Sequence, residues 1–78
     1  MHIPANYSAD VQLTLVMENQ TYSLSKIGEN EVVLRQPISL PQGDAEVVMK
    51  IDGREHRWGV RLVNGAFPFD AKVETKRR

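Results

Sequence analysis

The sequence predicts an all-β domain, built as a small antiparallel meander of about six strands. Apolar residues recur at every second position along most of the chain, which is the period of a strand with one buried face. Asp-Gly and Asn-Gly pairs separate alternating runs, as in tight hairpins, and no window has helical periodicity with caps. A sheet of this size hides its edges as a closed barrel, a partly open barrel or a two-layer sandwich.

The length of 78 residues allows one domain with one modest core. We therefore treat residues 1–78 as a single domain and expect residues 1–9 and 74–78 to be flexible tails, since chain ends are commonly poorly ordered.

The first two strands follow from alternation on either side of a break. Apolar residues alternate with other residues from 10 to 18, Glu18-Asn19-Gln20 interrupts the pattern, and residues 22–25 resume it. This pattern predicts a first hairpin. Gly28-Glu29-Asn30 predicts the next turn, because glycine and asparagine adopt positive φ at little cost.

A third strand is predicted over residues 32–40, but Pro37 lies within it. Proline cannot donate a ladder hydrogen bond, so this strand is an edge, is bulged, or ends near Gln36. Pro41-Gln42-Gly43-Asp44 then predicts a four-residue turn, with proline suited to its first corner.

Asp52-Gly53 predicts a two-residue type I′ hairpin, in which both turn residues have positive φ. The pairing that this turn imposes brings apolar positions together on one face: Met49 with His56, Val47 with Trp58, and Ala45 with Val60. Lys50 faces Glu55 on the other face, a favourable pair. A slip of one residue would destroy this agreement, so the register is strongly specified.

Asn64-Gly65 predicts a second hairpin of the same kind. It would set Leu62 opposite Phe67 and Val60 opposite Phe69, with Pro68 marking the last strand as an edge.

The residues that carry chemistry are few. The absence of cysteine excludes a disulfide framework and a thiolate metal site. His2 lies in the predicted N-terminal tail, and His56 falls on the inward side of its hairpin, where a half-buried structural histidine is favoured over a catalytic base. The glycines are dispersed in turns and form no phosphate-binding loop. We expect no enzyme activity, no metal and no cofactor.

The segment Met1 to Asp10 lacks the basic-then-apolar order of a signal peptide, and no apolar run approaches the ~20 residues of a membrane span. We expect a cytoplasmic protein of bacterial style without a membrane partner.

The formal net charge of zero is a sum of two opposite halves. Residues 1–49 hold two basic and six acidic side chains, whereas residues 50–78 hold eight basic and four acidic ones. Arg54, Arg57 and Arg61 follow one another along one predicted strand and form a candidate patch for phosphates. The opposing interpretation is a solvated ion-pair face, because Glu46 and Glu55 are neighbours of these arginines in the predicted pairing.

The run from Ser23 to Gly28, followed by residues 32–34 and 40–44, resembles the central part of PilZ domains. The resemblance covers residues 22–50. The second motif of that family is Asp or Asn, any residue, Ser, two residues and Gly, and it would fall on Ser23, Ser25 and Gly28.

The arginine pair of PilZ domains, separated by three residues and lying upstream of this motif, has no counterpart, since no arginine precedes Arg35. Arg57 and Arg61 have the spacing but follow the motif. The resemblance therefore implies a small β-barrel that has lost binding of cyclic di-GMP.

These observations favour a non-catalytic interaction module that contacts an unknown protein partner or forms a homodimer. The predicted contact surfaces are the face of Arg54, Arg57 and Arg61 and an edge strand at Gln36 or at residues 67–69. The alternative is a nucleotide-binding or nucleic-acid-binding β-barrel that uses the same three arginines.

Overall fold

The computed structural model describes residues 11–78, which form six strands and contain no helix. The first expected tail, residues 1–9, lies outside this range. The strands are β1 (Val11–Met17), β2 (Gln20–Ile27), β3 (Glu31–Leu34), β4 (Gly43–Ile51), β5 (Arg54–Leu62) and β6 (Lys72–Arg77).

The strands close into a barrel in the order β1-β2-β3-β6-β5-β4, with every neighbouring pair antiparallel. This confirms the all-β prediction and selects the closed barrel among its three forms. The chain departs from a simple meander at one point, because β4 pairs with β1 instead of β3. The crossover occupies residues 35–42. β3 ends at Leu34, before Pro37, which agrees with the predicted alternative that the strand ends near Gln36.

The barrel interior is the hydrophobic core. Each strand contributes alternate residues to it, and the largest fully buried side chains are Leu15, Leu24, Leu34, Leu62, Val32, Val47 and Val73. Burial of such side chains contributes roughly 1.5–3 kcal/mol each relative to leaving them exposed. Within residues 11–78 no buried side-chain nitrogen or oxygen lacks a hydrogen-bond partner.

The Asp52-Gly53 hairpin has the predicted register, including Met49 opposite His56 and Val47 opposite Trp58. Asp52 and Gly53 have φ of 50° and 84°, as a type I′ turn requires. The first hairpin is also confirmed: Glu18-Asn19 forms its turn, and Gln20 already pairs with Met17 in the ladder.

The predicted Asn64-Gly65 hairpin is wrong. Leu62 pairs with Thr75 and not with Phe67, and residues 63–71 form a loop before β6. The backbones of Leu40 and Ala66 exchange two hydrogen bonds, which tie this loop to the crossover segment and prevent it from folding back on β5. Consequently Phe67 and Phe69 are exposed instead of facing β5.

Residues 74–78, expected to be a flexible tail, instead contribute to the barrel wall. Residues 74–77 belong to β6, and the Arg78 amide donates to the Gly59 carbonyl beyond the end of that strand. Val73 and Thr75 are buried because they alternate into the barrel interior.

The β4-β5 hairpin extends beyond the closed part of the barrel. β1 pairs with β2 only over residues 14–17 but with β4 from residue 11 onward, and β6 pairs with β5 only over residues 60–62. Residues 11–13, 49–51 and 54–58 therefore form a three-stranded extension, which we call the arm. One face of the arm continues the inner face of the barrel.

A matched pair of glycine variants tests the tie between loop and crossover. Gly65 and Gly53 have φ of 71° and 84°, so alanine at either position incurs the left-handed penalty of about 1–2 kcal/mol. A Cβ at Gly65 would lie 2.4 Å from the Leu40 carbonyl oxygen, whereas a Cβ at Gly53 meets no atom within 4 Å.

We expect Gly65→Ala to lower the free energy of unfolding by about 1–3 kcal/mol more than Gly53→Ala, because overpacking adds to the conformational penalty. Urea denaturation measures both. Equal losses would show that the loop does not pack against the crossover as described.

Candidate interaction surface on the β4-β5 hairpin

The outer face of the hairpin carries ion pairs centred on Arg57. Val60 and Leu62 point into the core, so the odd-numbered positions of β5 point outward. The Arg57 Nη1 atom donates to Oε1 of Glu46 at 2.7 Å, and its Nε atom donates to Oε2 of Glu55. Arg57 is thus bound by two carboxylates, one across the ladder and one along its own strand.

Further toward the barrel, Asp44 binds two more cations. Its Oδ1 accepts from Arg61 at 3.5 Å, and its Oδ2 accepts from Arg78 at 3.1 Å. The Arg78 side chain lies directly over Gly59, where a Cβ would come within 2.8 Å of its Nε atom. The outer face therefore has the ion-pair network that the opposing interpretation of the sequence described.

Arg54 does not join this face. Its position has the parity of Val60 and Leu62, so it lies on the inner side of the arm, near the turn, and it is exposed. The structure places Arg57 and Arg61 on one face and Arg54 on the other. The three candidate arginines do not form one patch.

Arg57 and Glu55 shift each other's ionisation. The hydrogen bond and the charge of Arg57 lower the pKa of Glu55 from its ordinary value, and Glu55 in turn raises the pKa of Arg57. Both groups are solvated, so the pair is a surface pair of the kind that salt screens.

The inner face of the arm has a different character. Leu13, Met49, Ile51 and Trp58 are half-buried there, and Val11 is 48 % exposed. These residues continue the apolar stripe of the core beyond the point where the barrel wall encloses it.

The Arg77 guanidinium lies 5.1 Å from the centre of the Trp58 ring, in cation–π contact. This contact depends on the register of β6, which the sequence pattern does not predict. His56 was predicted to be half-buried, and this is wrong: it is exposed because the arm projects past the barrel.

A second exposed apolar feature lies at the opposite end of the barrel. The Phe67 and Phe69 rings stack with their centres 5.5 Å apart, and Phe69 is 83 % exposed. This is the segment 67–69 that the sequence analysis named as a contact surface, although it is a loop and not an edge strand.

Among residues 11–78 no group of three or more histidine, aspartate and glutamate side chains is placed to hold a metal ion. The same part of the chain contains no helix long and apolar enough to cross a membrane.

Comparison of the chain with family models, with curated proteins and with solved structures gives no significant match. The resemblance to PilZ domains stays a prediction. Of its motif, Ser23 and Ser25 are exposed on β2, and the Gly28 amide donates to the Glu31 carbonyl in the turn that follows.

The ion pair between Arg57 and Glu55 makes the stability of the fold depend on pH. Because the folded-state pKa of Glu55 is lowered, the stability that the pair contributes is present above the ordinary glutamate range and is lost as pH falls through the folded-state pKa. A carboxyl NMR titration should show a lowered pKa for Glu55 in the native chain. In Arg57→Gln the pKa should return toward the ordinary value, and an unchanged titration curve would contradict the pairing.

Proposed function

We propose that this chain is a small non-catalytic interaction module that works by protein–protein contact or self-association, and that the arm is its contact surface. The observation that carries the proposal is the inner face of the arm, where core-type side chains extend beyond the barrel. A contiguous apolar strip with a polar rim is typical of binding surfaces.

The composition of this face supports the proposal. Trp58, Arg77 beside it and Arg54 near the turn are of the residue types that dominate the energetics of protein interfaces. Met49 is flexible enough to fit an irregular partner surface. Because the side chains project from paired strands, a partner meets a pre-organised surface and little ordering is required on binding.

The alternative, phosphate or nucleic-acid binding by Arg54, Arg57 and Arg61, is less well supported. Glu46 and Glu55 already accept hydrogen bonds from the Nη1 and Nε atoms of Arg57, and Asp44 accepts from Arg61. A phosphate would have to displace these carboxylates or lie beside them, where the negative charges of phosphate and carboxylate repel each other.

We expect neither cyclic di-GMP nor short single-stranded oligonucleotides at low salt to shift the NMR signals of Arg54, Arg57 and Arg61. Salt-dependent shifts confined to these arginines would favour the alternative. A cytoplasmic setting of bacterial style belongs to the same proposal, and the cysteine-free composition supports only its cytoplasmic part.

Site-specific photo-crosslinking in the native host tests the arm directly. A benzophenone amino acid at His56, which is exposed on the inner face, should form a cross-link to one defined segment of a protein chain. That chain is another protein or a second copy of this one, and peptide mass spectrometry identifies the segment.

The matched control is the same amino acid at Glu29, which is exposed in the β2-β3 turn. We expect no discrete product from this position. Cross-linking only from position 29, or indiscriminate cross-linking from both positions, would overturn the assignment of the contact to the arm.

A further inference from the structure

The outer strand of the arm has a backbone edge without a paired strand. β4 covers one side of β5 along its whole length, but β6 covers the other side only over residues 60–62, with one further bond from Arg78 to Gly59. Within residues 11–78, the stretch 54–58 therefore has a strand on one side only. Such an edge is a template for another strand.

The geometry of the hairpin decides which groups this edge presents. Ile51 and Arg54 flank a two-residue turn and so form a hydrogen-bonded pair, and bonded pairs then alternate along the ladder. The N–H and C=O groups of Glu55 and Arg57 consequently point away from β4. Gly59 is also odd-numbered, and its carbonyl accepts from the Arg78 amide on the same side, which agrees with this assignment.

The side chains of this edge are complementary to themselves. Two copies of residues 54–58 can pair antiparallel about a twofold axis, and the axis determines which residues meet. An axis at Glu55 or at Arg57 sets like charges directly opposite each other. An axis at His56 sets Glu55 opposite Arg57 twice, which is the favourable arrangement.

We propose that a second copy of this chain docks on the β5 edge, with the two strands antiparallel and His56 at the twofold axis. The inference rests on the proposed function and names the partner of the same surface. Glu55 of one copy exchanges both backbone hydrogen bonds with Arg57 of the other, and the reverse pair does the same, so the ladder has four bonds. The two arms form one continuous sheet.

The same register joins the inner faces of the two arms. Arg54 lies opposite Trp58 of the second copy, where the indole face accepts a cation. The half-buried Met49 and Ile51 of each arm then border a shared apolar surface. Arg78 limits the ladder to residues 54–58, because it already occupies the next position on Gly59.

Charge reversal at the two complementary positions tests the register. In a Glu55→Lys dimer, lysine meets Arg57 twice, and in an Arg57→Glu dimer, glutamate meets Glu55 twice. Each variant alone should associate about tenfold or more weakly than the native chain, because two favourable pairs become repulsive. An equal mixture of the two variants should regain association, because every opposed pair is again of opposite charge.

Sedimentation velocity at low salt, over a range of concentrations, measures association above the monomer mass of 8.9 kDa. Glu29→Lys and Arg35→Glu are the controls, since they make the same charge changes at exposed positions outside β5 and its unpaired edge. Both controls should associate like the native chain. Should Arg57→Glu fail to fold, Glu55→Lys against Glu29→Lys decides the test.

Two outcomes overturn the inference. A native chain that remains monomeric at millimolar concentration has no such dimer. A dimer that is unaffected by both reversals uses another surface. Neither outcome removes the proposed function, because cross-linking of His56 to a different protein would still identify the arm as the contact surface.

Discussion

The constraint on which this structure depends is closure of the sheet by the ladders between β1 and β4 and between β3 and β6. Closure of a small barrel buries one face of every strand and removes the exposed edges of the closed part. It requires every strand to contribute to the same short cylinder. β3 has only four residues and β4 and β5 have nine each, so the longer strands extend beyond the cylinder and form the arm.

The opposite charges of the two halves of the sequence are largely used within the molecule. β4 belongs mainly to the acidic half and β5 to the basic half, and their pairing brings Glu46 and Asp44 to Arg57 and Arg61. Since these pairs are exposed, each contributes little to stability, but together they neutralise the outer face of the hairpin. The surfaces left for a partner are the inner face of the arm and the unpaired edge of β5. The net charge of the chain gives no information about either surface.

Much of the fold could be predicted from the sequence because its information is local. Alternation with a period of two identifies the strands, and Asp52-Gly53 specifies a register that depends only on two flanking segments. Asn64-Gly65 has the same local signal and a different outcome. Gly65 packs on the Leu40 carbonyl, a contact with a segment more than twenty residues earlier, and this tertiary tie overrides the hairpin.

The path of the chain after Asn64-Gly65 also decides the contacts of the candidate site. With the register of β6 unknown, neither the contact of Arg77 with Trp58 nor the binding of Arg78 to Asp44 could be predicted. The inward side of His56 did follow from parity, whereas the grouping of Arg54 with Arg57 and Arg61 on one face disagreed with parity and was wrong. The exposure of His56 depends on where the barrel wall ends. That limit is set by pairing between strands distant in sequence, which alternation alone does not report.

Residue-resolved hydrogen exchange, at a concentration where the chain sediments as a monomer, tests the central claim most directly. The amides of His56 and Trp58 bond to β4 and should be protected, whereas those of Glu55 and Arg57 should exchange rapidly. Protection of all four amides in the monomer would contradict the account, because residues of the same chain would then cover the β5 edge.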